Sequence, residues 1–395
     1  MKKYRLFIVN TQYQLLNAVN LVANTPGYND HLNDIIVHST LSAIMPSNYQ
    51  DSLCELFAHI FEVNCRHPEE PRLQQVNATC PAGLRRRLLC FRVKAAWWFL
   101  RRFVVSSYLK LCLGMNFSAA NYREIYIGDP SQIARSLFGE LYHRHGLRTL
   151  HILEDGTATY VDQRQAKFFA HKFKDLQIIF YLYAPDFVTY ADRLLGKLAS
   201  LPVLSRKNTA FLQYLNRLFG YNSDNILNQG IEFVILDQNI QSGLPRNSEQ
   251  RKQVIDYKSS LYQLAADAFG SKLWLKVHPS YITNDSIEKY QFKNILMAPG
   301  ESHLPFELLL LNAQKYPGII SIASTACFMP YLGMDSELAD FRLIVLDRLF
   351  ELNKLYKGCV NVDRFIDKLE AKYKFYRPRT VEEYRQILPS LSMSN

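Results

Sequence analysis

The chain has 395 residues, 48% of them apolar and 21% charged, with 16 glycines and 16 prolines; this excludes a small binding module, a collagen-like repeat and wholesale disorder. Its formal charge of +10 is concentrated in one place, because no acidic residue stands between Glu70 and Glu124 while ten Lys and Arg do. Seven cysteines without a CxxC pair fit neither a disulfide framework nor a zinc ribbon and imply a reducing setting.

Tyr4 to Val9 reads as a short buried strand, followed by a helical pattern (Leu15, Leu16, Val19, Val22) and a second strand at Asp34 to His38. The apolar run Leu6 to Val9 is too short for a secretory signal, and no long apolar, charge-free window predicts a spanning helix. Residues 50–62 read as helical and 84–113 as a basic helical segment. Glu124 to Ile127 is a strand closed by Gly128-Asp129-Pro130, Ser131 to His145 a helix, and Thr149 to Leu153 and 177–183 further strands. The stretch 185–230 mixes short helices and turns and offers no clear strand. Alternation then resumes, with strands at Glu232 to Leu236, Leu273 to Val277, Gly318 to Ile322 and Arg342 to Leu346 and helices at 248–268 and Phe306 to Leu311. Strands alternating with helices in two sets predict an α/β protein of two parallel-sheet, Rossmann-like domains facing across a cleft. The expected boundaries are 1–190, a linker over 191–230, a second domain over 231–375 and a C-terminal helix over 376–395.

In such sheets ligands meet the carboxyl ends of strands, and three polar clusters fall there. Glu154-Asp155-Gly156 follows a strand, its glycine letting the chain turn so that a carboxylate projects. Lys276-Val277-His278-Pro279 ends another, placing an imidazole at a strand tip. Ser321-Ile322-Ala323-Ser324-Thr325 leaves a third strand with small and hydroxyl residues and opens a helix, a place that favours phosphate. Taken singly, each also has an ordinary reading: an Asp-Gly turn, a surface histidine, a helix cap.

In their order, acid-acid-Gly, His-Pro and Ser-Thr, these motifs resemble those of the bacterial sialyltransferases, the lipooligosaccharide sialyltransferase and capsular polysialyltransferase families. The opening Phe7-Ile8-Val9-Asn10-Thr11-Gln12-Tyr13-Gln14 is similar to their first strand and turn. The resemblance implies a two-domain glycosyltransferase of the B type, with the acceptor on the N-terminal domain and CMP-activated sialic acid on the C-terminal one. It further implies inversion at the anomeric carbon, no cofactor and no catalytic metal. Chemically Asp155 or Glu154 is the general base on the acceptor hydroxyl, and the resemblance to the lipooligosaccharide branch implies Asp237, just after the first strand of the second domain, as the second candidate. His278 assists departure of CMP, and Lys276, Pro279, Ser321, Ser324, Thr325 and Gln238 hold the donor. Asn10, Thr11, Gln12 and Gly156 form the turns on the acceptor side.

Within 84–113, Arg85-Arg86-Arg87, Arg92, Lys94, Arg101-Arg102 and Lys110 interleave with Leu88, Phe91, Trp97, Trp98 and Phe99. That pattern suits the surface of an anionic membrane, a groove for a polyanionic glycan or nucleic acid, or a half-buried helix with a solvated basic face. The expected partners are the CMP-sugar donor, a lipid-linked glycan and the membrane surface, with no nucleic acid and a cytoplasmic location at the inner face of the membrane. The other readings are a B-type glycosyltransferase using CMP-Kdo or a UDP- or GDP-sugar, and a non-enzymatic polyanion or nucleic-acid binder.

Overall fold

The computed structural model describes residues 4–28, 32–63, 84–103, 105–222, 225–240, 244, 248–278, 296–297, 303–335, 341–350 and 361–392. Its N-terminal part runs β1 (Tyr4–Val9), α1 (Gln12–Asn24), β2 (Leu32–His38), α2 (Tyr49–Leu53), β3 (His59–Val63), α3 (Leu84–Phe103), α4 (Val105–Leu113), β4 (Tyr122–Ile127), α5 (Gln132–His145), β5 (Thr149–Leu153), α6 (Thr157–Val161), α7 (Arg164–Lys172), β6 (Gln177–Leu182) and β7 (Lys197–Ser200). These strands form a parallel seven-stranded sheet in the order β3-β2-β1-β4-β5-β6-β7. A linking helix α8 (Thr209–Phe219) leads to β8 (Phe233–Leu236), α9 (Glu249–Phe269), β9 (Leu273–Lys276), β10 (Leu296–Met297), α10 (Phe306–Asn312), β11 (Gly318–Ser321), α11 (Thr325–Leu332), β12 (Leu343–Val345), α12 (Val362–Glu370) and α13 (Val381–Ser392). The second sheet is parallel in the order β10-β9-β8-β11-β12.

Both sheets are wound outward from their first strand, so each has a switch point where the strand order reverses, between β1 and β4 and between β8 and β11. Strands β8, β9 and β11 are buried at every residue because helices cover both faces, which is why they read as unbroken apolar runs. Helix α1 starts where Thr11 caps it, accepting from Gln14 N at 3.2 Å, and buries Leu15, Leu16, Val19 and Val22 against the first sheet.

The expected two Rossmann-like domains are those observed, and the elements differ at the edges. Residues 59–63 form β3, where 50–62 was expected to be helical; α2 covers only Tyr49–Leu53. A second unexpected strand, β7, extends the first sheet to Ser200, ten residues past the boundary placed at 190. Both are edge strands, and their mixed exposure removes the continuous apolar signal that marks a central strand. The segment after β7 belongs to both domains. Leu204 bridges to Met334, Asn208 Nδ2 donates to Asn24 Oδ1 at 2.9 Å, and α8 packs on both α2 and α10. Helix α12 also crosses back, with Lys368 Nζ donating to the Val188 carbonyl at 2.7 Å and Asn361 Nδ2 to that of Val161 at 2.9 Å. Helix α13, over Val381–Ser392, packs on α9.

Candidate active site

At the first switch point the chain leaves β1 through Asn10 and Thr11, and α1 directs Gln14 back over the carboxyl end of the sheet. Gln14 is fully buried, its Oε1 accepting from Asn10 N at 2.8 Å and its Nε2 donating to Asp155 Oδ1 at 2.7 Å. Gly128, at the end of β4, makes room for it, since a Cβ there would lie 2.2 Å from Gln14 Cδ. Asp155 is half-buried, and its backbone N–H donates to Thr159 Oγ1 at 2.9 Å. Burial raises its carboxyl to about 7; the Gln14 hydrogen bond pulls it down and the charge of Asp129 adds to the rise.

Glu154, its neighbour, points the other way into the protein. It is wholly buried, accepting from Tyr13 Oη at 2.5 Å, Tyr160 Oη at 2.6 Å and Tyr183 N at 3.0 Å, while Asn17 Nδ2 donates to its carbonyl at 2.9 Å. Desolvation still outweighs those donors and lifts its carboxyl to about 7. The two acids expected as a pair therefore have different surroundings: Glu154 is enclosed in a tyrosine cage, and Asp155 keeps an exposed edge.

Gly156 turns the chain at φ 86°, and there the two domains meet. A Cβ on it would lie 2.6 Å from Thr325 Oγ1. Thr157 N donates to that same oxygen, and the two threonine hydroxyls are 2.6 Å apart. The acid-Gly motif and the Ser-Thr motif, 168 residues apart, are thus in direct contact. Ser324 stands at the N-cap of α11, where its hydroxyl makes no cap bond, and is half-buried beside Thr325. Ser321 is buried under the turn, donating to the Leu236 carbonyl at 3.1 Å and accepting from Ser324 N at 3.2 Å. Gln238 pins the same turn, its Oε1 accepting from Ala323 N at 2.8 Å.

The His-Pro motif joins this assembly through β8, because Asp237 N donates to the Lys276 carbonyl at 3.1 Å. His278 is half-buried at the tip of β9; Pro279 lies outside the described residues. Burial depresses the His278 imidazole, Asp237 opposes that, and Lys258 and Lys276 push it further down. Lys276 is itself buried and donates to the Leu304 carbonyl at 2.9 Å. Asp237 sits in an enclosed ion pair, with Lys258 Nζ 2.8 Å and Tyr262 Oη 3.0 Å from its Oδ1. Both partners are essentially sealed from solvent, at 1% and 0% side-chain exposure. This enclosure separates Asp237 from Asp155, which keeps an open edge.

Asn10 and Thr11 shape the first turn, and Gln12 is half-buried at the first position of α1. The polar residue that reaches the carboxylate is Gln14, which sequence reading did not assign to the site. Its signal is a stripe on α1, since Gln14, Asn17 and Asn20 recur every three residues and all are buried. Asn17 and Asn20 both bond Tyr183, and Asn20 also donates to the Pro202 carbonyl at 2.6 Å. Among the described residues no group of three or more His, Cys, Asp or Glu is placed to hold one metal ion.

This is an α/β protein of two Rossmann-like domains with the carboxyl ends of their sheets turned toward one another, the B-type arrangement expected from the sequence. No family model matches the chain, and no curated protein does. Among solved structures it is similar to CalG4, the calicheamicin glycosyltransferase, at 10% identity and a TM-score of 0.45, over 100% of this chain and 91% of that one. It is similar too to UGT89C1 of Arabidopsis thaliana complexed with UDP-L-rhamnose, at 11% identity and a TM-score of 0.48, with the same coverage.

Proposed function

We propose that this protein is an inverting glycosyltransferase that moves sialic acid from CMP-sialic acid to a hydroxyl of a bacterial surface glycan, without a metal ion. The observation that carries the reading is the meeting of Asp155, a partly open carboxylate oriented by Gln14, with the start of α11 through Gly156, Thr157 and Thr325. A base for an acceptor and a helix start suited to a phosphate then adjoin at one place. The order of the three motifs supports sialic acid and CMP as the sugar and the nucleotide.

In this mechanism Asp155 takes the proton of the acceptor hydroxyl as its oxygen bonds to the anomeric carbon. The bond from that carbon to the phosphate oxygen breaks, and CMP leaves with the electron pair. Ser324, Thr325 and the positive end of α11 stabilise the departing charge. With Asp155 near 7 and the His278 imidazole held below its ordinary value, the two charged forms rarely coexist. His278 therefore acts as a neutral hydrogen-bond donor to the phosphate.

The test is release of CMP from CMP-sialic acid in the presence of glycan acceptors, with and without EDTA, with CMP-Kdo, UDP-sugars and GDP-sugars as parallel arms. Turnover with CMP-sialic acid, unaffected by EDTA and giving an inverted product, is the expected result. Turnover only with a UDP- or GDP-sugar overturns the donor assignment, and none with any donor overturns the enzyme reading.

A further inference from the structure

Helix α3 has a face that catalysis at the cleft does not use. Leu88 is 54% and Phe91 69% exposed, among the most exposed large apolar side chains of the described residues. At 100° per residue Leu88 and Phe91 fall on one outward stripe. Arg87 and Lys94 flank it on one side and Arg92 on the other, all three exposed. Leu89, Cys90 and Val93, on the opposite side, are half-buried, and α3 packs on α4. The helix thus turns apolar side chains to solvent and borders them with cations, the reverse of a helix with a solvated basic face. The stretch from Glu70 to Glu124 contains no carboxylate that could neutralise them from within.

We infer that α3 is a docking surface for an anionic lipid bilayer, lying flat with Leu88 and Phe91 inserted among the acyl chains and Arg87, Arg92 and Lys94 at the headgroups. An apolar stripe needs a partner that accepts hydrocarbon, and an acid-free cationic border needs one that is negative. A bilayer of anionic lipid supplies both, whereas a polyanionic glycan or nucleic acid satisfies only the border. The inference is independent of the chemistry at Asp155 and is read without it.

The experiment is cosedimentation of the full chain with vesicles of phosphatidylcholine alone or with 30% phosphatidylglycerol, roughly a physiological anionic load. Binding to the anionic vesicles and not to the neutral ones is expected. Leu88→Asp with Phe91→Asp should lower the partition at least about tenfold, since it removes the insertion and adds like charge. Arg87→Gln, Arg92→Gln and Lys94→Gln together should do likewise and flatten the salt dependence. All these side chains are exposed, so unchanged circular dichroism and melting confirm the fold, and turnover on a water-soluble acceptor should persist in both variants. Three results overturn the inference: equal binding by the double-aspartate variant, equal binding to neutral vesicles, or a dimer that the double-aspartate change dissociates while vesicles are ignored.

Discussion

Asp155 and Gln14 form the pair on which the proposed chemistry turns. A carboxylic acid raised to about 7 must lose its proton before it can act as a base, so kcat/KM should fall below that pH and reach a plateau above it. Asp155→Asn should abolish that limb and reduce kcat by roughly 10²–10⁴, with little change in donor KM, measured by CMP release across pH 5.5 to 9. Gln14 holds the carboxyl down by hydrogen bonding to its charged form. Gln14→Leu should therefore move the limb to higher pH and allow recovery in alkali, a signature that simple misfolding would not give. Gly128→Ala should reproduce it by displacing the same amide. Asp237 predicts a different phenotype. Asp237→Asn strands the buried Lys258 cation and should cost about 3–5 kcal/mol of stability in urea unfolding, while Asp237→Leu with Lys258→Met should recover most of it. Turnover in that double variant separates the two carboxylates, because it survives only if Asp155 is the base.

The tight turn between β5 and α6 sets how closely the domains approach. Gly156→Ala imposes an L side chain at φ 86° and drives a methyl group toward Thr325, so melting should fall by an amount equivalent to about 1–3 kcal/mol. Thr325→Ala in the same chain should return only part of the loss, since it removes the collision and leaves the backbone strain. Elements were legible wherever burial is two-sided, as in β8 and β11, whose every residue is covered. They were not legible in β3 and β7, edge strands whose residues are mostly partly covered and follow neither an unbroken buried run nor a two-residue alternation. The site follows the same division. Asp155, His278 and Thr325 stand out because each directly follows a strand, a local pattern that sequence carries. That Gln14 holds Asp155 across 141 residues, that Glu154 faces inward and that Asp237 is paired with Lys258 depend on packing between elements. No local periodicity encodes those choices.

Across the whole molecule, the region where the domains join holds buried carboxyls that desolvation shifts toward the protonated form. Glu154 at about 7 and Glu307, also raised by burial, face each other's charge from the two domains, with Tyr13, Tyr160 and Tyr183 around Glu154 and Lys276 near Glu307. A carboxyl raised on folding gives stability that is complete below its unfolded pKa and is lost as pH climbs through the folded one. His151, depressed to about 4, works oppositely, and its effect is confined to pH below 6.5. Between pH 6.5 and 8 the acids dominate, so the melting temperature should decline over that window, and Glu154→Gln should flatten the decline in a calorimetric series. A constant melting temperature there would show that Glu154 is already ionised. The strand order has one more consequence, and it concerns synthesis. Strand β1 acquires one neighbour from residues 32–37 but waits for residues 122–127 to supply the other. Until the ribosome has passed α3 and α4, the growing polypeptide carries a greasy ribbon with one naked margin, an invitation to chaperones and to self-association. Truncated products ending short of Ile127 should therefore precipitate, while those extending past Leu153 gain the cover that keeps them in solution.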